Sequence, residues 1–216
     1  MIGSSFIGSL PDPLRVVVVG AHADDIEIGC GGTILRLAAE RRVDVTWVVL
    51  TAPDLRSQEA RRGAEAFLDA ADRSEVVVCD FRDGYLPHGA TPVKELFDDL
   101  GRRLDPHLVL THTRSDLHQD HRLVCELTWN TWRSHMILEY EIPKYDGDLG
   151  TPNLFVSLTA EQLQRKLDLL FDVYMSQQSK PWFTRELLGA LPLFRGMEAR
   201  SPTGLAEAFT CRKITI

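Results

Sequence analysis

The sequence predicts an α/β fold in which helices cover both faces of a mostly parallel sheet. Residues 15–20, RVVVVG, are dominated by β-branched side chains, which is typical of a strand buried on both faces. Apolar positions at helical spacing follow over residues 31–41, and VDVTWVVL at 43–50 has the pattern of a second strand. A strand, a helix and a second strand in this order indicate parallel pairing.

The same alternation continues along the rest of the chain. The pattern predicts further helices at 54–71, 93–104, 119–134 and 159–175, and further strands at 75–79, 107–111, 136–142 and 154–157. Thr159 and Gln162 form a capping-box pattern where the last of these helices begins. Residues 143–153 and 180–202 are interpreted as loops that shape a cleft or an interface, and residues 209–216 as a final edge strand.

Length and composition predict a single globular domain over residues 1–216. Hydrophobic residues make up 44% of the chain and charged residues 25%, which is enough apolar material for a core. The net charge of −7 disfavours nucleic acid and anionic membranes as partners, and no apolar run approaches the roughly 18 residues that span a bilayer. The four cysteines are widely separated in the sequence, which indicates reduced thiols rather than a disulfide framework. We therefore expect a cytoplasmic protein, and the sequence leaves a homo-oligomer open.

A first cluster of polar side chains, AHADDIEIGCGG, directly follows the strand at 15–20. Ligand sites in open α/β sheets lie at this edge of the sheet. His22 and Asp25 are three residues apart on a turn, so both can reach one cation through an imidazole nitrogen and a carboxylate oxygen. Asp24 then remains free to act as a general base that takes a proton from a metal-bound water.

Two other interpretations of this segment stay open at the level of sequence. Adjacent aspartates after a strand are about as often a helix N-cap with a favourable dipole as a ligand pair. Gly29, Gly31 and Gly32 suggest a dinucleotide fingerprint, but GCGG lacks the G-x-G-x-x-G spacing, and the acidic residues before it repel a pyrophosphate. We interpret these glycines instead as positions where the backbone approaches a ligand closely.

A second cluster, THTRSDLHQDHR, follows the strand predicted at 107–111 and holds three histidines and two aspartates within ten residues. A lone histidine is usually structural, but this density beside a second strand end favours a metal site. His121 completes a three-ligand set with His22 and Asp25. Three protein ligands leave one position open for water or a substrate carbonyl, which is typical of a catalytic rather than a structural zinc site.

The remaining members of the second cluster are predicted to support these ligands or to act on the substrate. Asp120 is expected to orient a ligand imidazole by accepting its other N–H, and Asp116 to hold His118. His118 is expected to protonate a departing amine or to stabilise an oxyanion. His112 has no assigned role beyond bracing the loop.

At these two clusters the chain resembles the LmbE-like family, also called the PIG-L de-N-acetylases, whose signatures are A-H-P-D-D-x-E and D-x-H-x-D-H. The corresponding segments here are AHADDIE and DLHQDH. The resemblance implies a Rossmann-like, LmbE-like fold and a zinc ion held by His22, Asp25 and His121. It implies that Asp24 is the base, with His118 as the acid or oxyanion stabiliser.

The resemblance also implies that Arg56 and Asp83 contact the substrate's sugar. One residue departs from the signature, because Ala23 stands where the family has proline. Proline restricts φ and the residue before it, so alanine makes the turn looser in the unfolded chain without removing a ligand.

The predicted function is removal of an N-acetyl or other acyl group from a small amino-sugar or glycoside-type substrate, such as an N-acetylglucosamine derivative. Zinc is the expected cofactor, and other divalent metals are alternatives. Two further functions stay open: a thiol-conjugate amidase with the same metal chemistry, and a metal-binding or sugar-binding protein without turnover. A nucleotide-binding protein is the weakest of the alternatives.

Overall fold

The computed structural model describes residues 9–214. The strands are β1 (Leu14–His22), β2 (Val43–Thr51), β3 (Arg73–Val78), β4 (Leu108–His112), β5 (Met136–Tyr140), β6 (Leu154–Ser157) and β7 (Ala206–Cys211). The helices are α1 (Asp25–Glu40), α2 (Leu55–Phe67), α3 (Ala90–Arg103), α4 (Gln119–Thr131), α5 (Ala160–Val173) and α6 (Arg185–Glu198). Short 3₁₀ turns occur at Leu86–Gly89 and Met175–Gln177.

The seven strands form one sheet in the order β3-β2-β1-β4-β5-β7-β6. The first five strands in this order pair in parallel, whereas β7 runs antiparallel to both of its neighbours. The prediction of a mostly parallel sheet is therefore confirmed. The chain builds the sheet outward from β1 in both directions, so β1 and β4 are neighbours at the point where the strand order reverses.

The continuous apolar run of β1 is buried on both faces of the sheet, as its composition predicts. Val16 and Val18 belong to a core that includes side chains of α1, α2 and α5, whereas Val17 and Val19 belong to a second core with α3 and α4. Successive side chains of a strand point to opposite faces, so β1 contributes to both cores at once. Helices on both faces therefore follow directly from an unbroken apolar strand.

The prediction of a loop over residues 180–202 is wrong, because Arg185–Glu198 forms α6. This helix contains Pro192 and two glycines, and residues of these types usually indicate the end of a helix in a sequence pattern. At Gly196, a Cβ atom would lie 2.0 Å from the backbone oxygen of Gly204. Tertiary packing therefore requires a residue that local propensity counts as a helix breaker.

The predicted edge strand at 209–216 is also wrong in extent and place. The strand spans Ala206–Cys211 and lies inside the sheet, between β5 and β6, so that β6 forms the edge. Residues 215–216 lie outside the described part of the chain. Strand order depends on contacts between distant segments, which the local pattern does not contain.

The helix predicted to begin at residue 31 begins six residues earlier, at Asp25, and includes the glycine-rich segment. A Cβ at Gly29 would lie 2.3 Å from the Tyr140 ring, and one at Gly31 would lie 2.5 Å from the Phe67 ring. The same crowding occurs at Gly32. The interpretation that these glycines approach a ligand is wrong, because the neighbours they admit are the protein's own core side chains.

Among residues 9–214, no helix has both the length and the apolar character needed to cross a membrane.

Candidate functional site

The two polar clusters meet at the carboxyl ends of β1 and β4. His22 is the last residue of β1 and His112 the last residue of β4, and the two strands are paired neighbours. Parallel strands on either side of a reversal in strand order leave a crevice outside their carboxyl ends, where α/β proteins bind ligands. The topology therefore places two segments that are 90 residues apart in sequence around one site.

The first segment is a tight turn between β1 and α1. Asp24 adopts a φ of 99°, in the left-handed region that non-glycine residues rarely occupy. Asp25 accepts a hydrogen bond at Oδ2 from the backbone N–H of His22 at 2.7 Å. Asp24 stands at the N-cap position of α1, but its side chain makes no capping hydrogen bond. The N-cap interpretation therefore does not explain the Asp24 carboxylate.

Three side-chain atoms converge between the two segments: His22 Nδ1, Asp25 Oδ2 and His121 Nε2. The separations are 3.2 Å from His22 to Asp25, 3.1 Å from His22 to His121 and 3.4 Å from His121 to Asp25. A tetrahedral ion with ligands at 2.0–2.2 Å has edges of roughly 3.3–3.6 Å between ligand atoms. The three atoms therefore have nearly the spacing of one face of a zinc coordination tetrahedron, and the donor set fits such an ion.

In His22 and in His121, the ring nitrogen that faces away from the convergent atoms lies within hydrogen-bond distance of a carboxylate. His121 Nδ1 lies 2.9 Å from Asp116 Oδ2, and His22 Nε2 lies 3.2 Å from Asp120 Oδ2 and 3.1 Å from Asp83 Oδ1. Carboxylates in this position hold the ring orientation and increase the basicity of a metal-ligating histidine. Asp83 is 66% exposed, whereas Asp120 is fully buried, so solvent competes only for the Asp83 contact.

The Asp116 carboxylate contacts the side chain of His121, whereas it contacts only the backbone of His118, its predicted partner. Its Oδ1 accepts a hydrogen bond from the backbone N–H of His118 at 2.8 Å, while its Oδ2 faces the His121 ring. Asp116 therefore holds His118 as predicted, but through the backbone N–H, and it also holds the His121 ring, which was not predicted. Hydrogen bonds from both groups lower the pKa of Asp116 despite its burial.

His118 caps the N-terminus of α4 through its side chain. Its Nδ1 accepts a hydrogen bond from the backbone N–H of Asp120 at 3.3 Å. A neutral imidazole that accepts at Nδ1 carries its proton on Nε2. The ring is half-buried, and its centroid lies 4.7 Å from that of His22 and 4.6 Å from that of His121. A neutral ring with its proton on Nε2 is suited to donating a hydrogen bond to an oxyanion, whereas giving up that proton would leave an imidazolate.

His112 braces the site from beneath. It is fully buried and stacks on the His121 ring at 3.9 Å between centroids. Its Nε2 accepts a hydrogen bond from the backbone N–H of Ala21 at 3.0 Å. Burial, together with the neighbouring His121, lowers the pKa of His112 to about 4, so this ring is neutral near pH 7.

The Asp24 carboxylate is near enough to Asp25 and His22 for their charges to affect its pKa, but Asp24 belongs to none of the possible ligand groups among the described residues. Its carboxylate is buried and pairs with Arg56, with Oδ2 3.0 Å from Nη2. Burial raises the pKa of Asp24 to about 6, although the Arg56 charge opposes the rise. Arg56 also donates a hydrogen bond from Nη2 to the Ala23 carbonyl oxygen.

Lys144 is the supporting residue that sequence reasoning missed. Its Nζ lies 3.0 Å from Asp116 Oδ2 and 2.6 Å from Asp148 Oδ2, and Asp148 Oδ2 also accepts a hydrogen bond from the Leu117 backbone N–H at 2.7 Å. The segment 143–153 is thereby tied to the second cluster. A single lysine in a loop has no periodicity or motif, so the sequence contained no signal for it.

With this geometry in place, comparison with known proteins shows the family. The family model described as GlcNAc-PI de-N-acetylase, PIG-L, matches residues 17–132, which is more than half of the chain and includes both clusters. The chain belongs to the GlcNAc-PI de-N-acetylase family. The resemblance inferred from the two short motifs is therefore confirmed.

Individual relatives of this family member are distant. An uncharacterized deacetylase, YaiS, of Escherichia coli K12 is 25% identical over 186 residues, covering 79% of this chain and 96% of YaiS. The N,N′-diacetylchitobiose deacetylase of Pyrococcus horikoshii, solved with an inhibitor, superposes with a TM-score of 0.67 at 20% identity, covering 91% of this chain and 83% of that chain. The 4-carboxy-2-hydroxymuconate hydratase GalB of Pseudomonas putida KT2440 superposes with a TM-score of 0.74 at 19% identity, covering 94% and 98%. Deacetylases and a hydratase share this fold, so function has to be argued from the site.

Proposed function

We propose that this protein is a divalent-metal de-N-acetylase that hydrolyses an N-acetyl or related acyl amide on a small amino-sugar substrate. The observation that carries the proposal is the convergence of His22 Nδ1, Asp25 Oδ2 and His121 Nε2 at 3.1–3.4 Å, with the Asp24 carboxylate beside them but not among them. Three protein ligands and an adjacent free carboxylate are the parts that metal-assisted amide hydrolysis requires.

His22, Asp25 and His121 would hold the cation, and two imidazole nitrogens with one carboxylate oxygen are a donor set typical of catalytic zinc sites. A divalent cation in this place acidifies a water molecule and polarises the amide carbonyl. The carboxylates of Asp116 and Asp120 keep the two imidazoles aimed inward, because each accepts from the ring nitrogen that faces away from the convergent atoms.

Asp24 would accept the proton of the attacking water, and its fixed position beside the ligand atoms supports this role. The water oxygen would form a bond to the carbonyl carbon while Nε2–H of His118 donates a hydrogen bond to the developing oxyanion, because Nδ1 of the same neutral ring accepts from the Asp120 backbone N–H. The C–N bond would then break as the nitrogen receives the proton that Asp24 accepted from the water. The products are a carboxylic acid, acetate for an acetamide, and a free amine.

The substrate class rests on the family and on the character of the relatives. The family is described by its action on an N-acetylglucosaminyl lipid, and the similar Pyrococcus horikoshii protein is a diacetylchitobiose deacetylase. Both act on an acetamide attached to a sugar ring. N-acetylglucosamine and N,N′-diacetylchitobiose are therefore the first substrates to test.

The decisive experiment measures metal content and deacetylation together. Elemental analysis of the purified chain and of His121→Ala is combined with assays of amine release from N-acetylglucosamine, N,N′-diacetylchitobiose and a cysteinyl amide of an amino sugar. His88→Ala is the control, because His88 is exposed and outside the candidate ligand groups of residues 9–214. We expect about one divalent ion per chain in the wild type and in the control, and much less in His121→Ala.

The outcomes separate the proposed function from its alternatives. Amine release from the N-acetyl sugars that requires the metal supports the proposal. Amine release from the cysteinyl amide alone would indicate that the protein is a thiol-conjugate amidase. A stoichiometric metal without any hydrolysis would indicate a binding protein, and no metal even after reconstitution would defeat the hydrolase proposal.

A further inference from the structure

The turn that carries Asp24 is held by a residue from another element. Asp24 has a φ of 99°, and the preceding residue is Ala23 rather than the proline of the family signature. The hydrogen bond from the His22 backbone to Asp25 closes this turn but does not involve the Asp24 side chain, and alanine at position 23 restricts φ less than proline does. The Asp24 side chain makes no capping hydrogen bond to α1 that would restrict it from the other side. Something outside the turn has to keep the carboxylate in place.

Arg56 of α2 contacts both parts of the turn with one nitrogen. Its Nη2 donates to the Ala23 carbonyl oxygen and pairs with Asp24 Oδ2 at 3.0 Å. The planar guanidinium of Arg56 therefore holds both the peptide group before Asp24 and the Asp24 carboxylate. A planar fork of fixed geometry limits rotation of the turn more than a single-point contact would.

The opposite side of the guanidinium is anchored equally well. Its Nη1 donates to Glu59 Oε2 at 2.9 Å and to Ser176 Oγ at 3.3 Å. Glu59 also accepts from the Ser176 backbone N–H at 2.8 Å and from its hydroxyl at 2.6 Å. The guanidinium carbon lies 5.3 Å from the centroid of the Tyr174 ring. Arg56 is thus fixed from α2 and from residues 174–176 before it reaches the turn.

The η nitrogens of Arg56 are occupied by the protein itself. They carry four N–H groups, and the four protein acceptors Ala23 O, Asp24 Oδ2, Glu59 Oε2 and Ser176 Oγ match them in number. A sugar hydroxyl could bind Arg56 without displacing one of these partners only at the fifth donor, the Nε–H. The resemblance to the family implies a sugar contact at this position, but the geometry favours a contact within the protein.

We propose that Arg56 is a positioning residue that clamps the Ala23–Asp24 turn and thereby aims the Asp24 carboxylate. The proposal rests on the proposed function, in which Asp24 accepts the proton of the attacking water. In the family signature, proline restricts this turn covalently. Here Arg56 restricts it through hydrogen bonds, so its loss is most harmful when residue 23 is alanine.

Two restraints on one turn have a signature that can be measured. If Arg56 and a proline at position 23 restrict the same motion, their effects are not additive, and proline compensates in part for a missing Arg56. If Arg56 binds substrate, the identity of residue 23 has no bearing on the cost of removing it. Arg56→Gln, Arg56→Lys, Ala23→Pro and the Ala23→Pro/Arg56→Gln double variant therefore form the test, with Arg62→Gln on the exposed part of α2 as the control.

The kinetic arm uses N,N′-diacetylchitobiose as the probe. Misplacing a catalytic group by about 1 Å costs about 100-fold, so we expect Arg56→Gln to lower kcat about 100-fold with less than a threefold change in KM. Lysine has a single terminal nitrogen and cannot hold the turn and the Glu59–Ser176 side at the same time, so Arg56→Lys should fall between Arg56→Gln and the wild type. Ala23→Pro should restore about tenfold of the lost kcat in the Arg56→Gln background, and Arg62→Gln should match the wild type.

The second arm does not need turnover. Hydrogen-deuterium exchange is followed by mass spectrometry for a peptide covering residues 20–28, in each full-length variant loaded with zinc and without substrate. Arg56→Gln should increase exchange in this peptide about tenfold, and Ala23→Pro should reverse most of the increase. Thermal unfolding of every variant identifies any that fails to fold, and Arg56→Lys then carries the comparison because it keeps the buried charge next to Glu59.

The two arms separate failure of this proposal from failure of the proposed function. A wild type that hydrolyses no acetamide defeats the proposed function, while the exchange arm still tests whether Arg56 clamps the turn. A higher KM with unchanged kcat and unchanged exchange in Arg56→Gln would overturn the clamp and favour a sugar contact. An equal loss of kcat with alanine and with proline at position 23 would overturn it as well.

Discussion

The two segments that meet at the site are held in place in different ways. The second segment, residues 112–121, is connected mainly through its own members: Asp116 contacts the His121 ring and the His118 backbone, and His112 stacks on His121. The first segment, residues 22–25, is connected internally only between His22 and Asp25, through the His22 backbone N–H and its ring Nδ1. Its strained residue, Asp24, depends on a contact from α2.

This difference corresponds to two tasks. A ligand histidine has to keep one orientation, and short hydrogen bonds within one segment provide it. A general base has to remain beside the ligand atoms without joining them, and a cationic partner on another element holds it aside. We therefore expect changes around His121 in the second segment to act mainly on metal retention. Changes at Asp24 in the first segment should act mainly on the reaction rate, although His22 and Asp25 of that segment are also ligands.

The largest effect is expected at the part of the first segment that does not bind metal. Asp24→Asn removes the proton acceptor and keeps the shape, so we expect kcat to fall by about 10²–10⁴-fold while the zinc content stays near that of the wild type. Deacetylation rates and elemental analysis on the same preparation check this. Loss of zinc in Asp24→Asn would show that Asp24 is a ligand and would end the division of tasks between the segments.

The next largest effect is expected in the second segment. Asp116→Asn weakens the contact that orients His121, and removing such a partner typically lowers metal affinity about 10–100-fold. Competition with a zinc chelator measures the affinity, and Asp105→Asn, at an exposed position near the opposite ends of the strands, is the control. Unchanged zinc affinity together with a lower rate would place Asp116 among the groups that act on the substrate.

Asp120→Asn should have a smaller effect on metal affinity than Asp116→Asn. His22 Nε2 has a second carboxylate, Asp83, at 3.1 Å, so its orientation is not lost when Asp120 changes. We expect about a tenfold loss of affinity or less, within the range for such partners. The double variant with Asp83→Asn should lose more than the two single variants together, and simple additivity would contradict the idea that the two carboxylates substitute for each other.

The smallest effect is expected where the second segment is supported from outside. Lys144→Met removes the ion pairs with Asp116 and Asp148, but it acts on His121 only through Asp116, whose own contact with the His121 ring remains. We expect metal affinity to fall about twofold to fivefold. Lys94→Met, in an exposed pair on α3, is the matched control. A loss as large as that of Asp116→Asn would show that the second segment depends on outside support as much as the first.

Much of the fold could be read from local patterns, and its exceptions share one cause. The Val-rich run of β1 predicts burial on both faces, and the capping box of Thr159 and Gln162 is present at the start of α5. The errors, at α6, at β7 and in the glycines of α1, occur where a distant segment overrides local propensity. Position 29 of α1 is glycine because the Tyr140 ring leaves no room for a side chain, and a window of neighbouring residues does not contain that information.

The sequence alone identifies the chemical groups of the site and places them at the ends of strands. The two dense clusters of histidine and aspartate after β1 and β4, in the order of the family signatures, were sufficient to name the candidate ligands and base. The groups that hold these residues depend on the tertiary structure. Arg56 lies 32 residues from Asp24, Lys144 lies 28 from Asp116, and His22 lies 98 from Asp120. The physical reason is that residue type limits which bonds a side chain can form, whereas packing decides which acceptor it reaches.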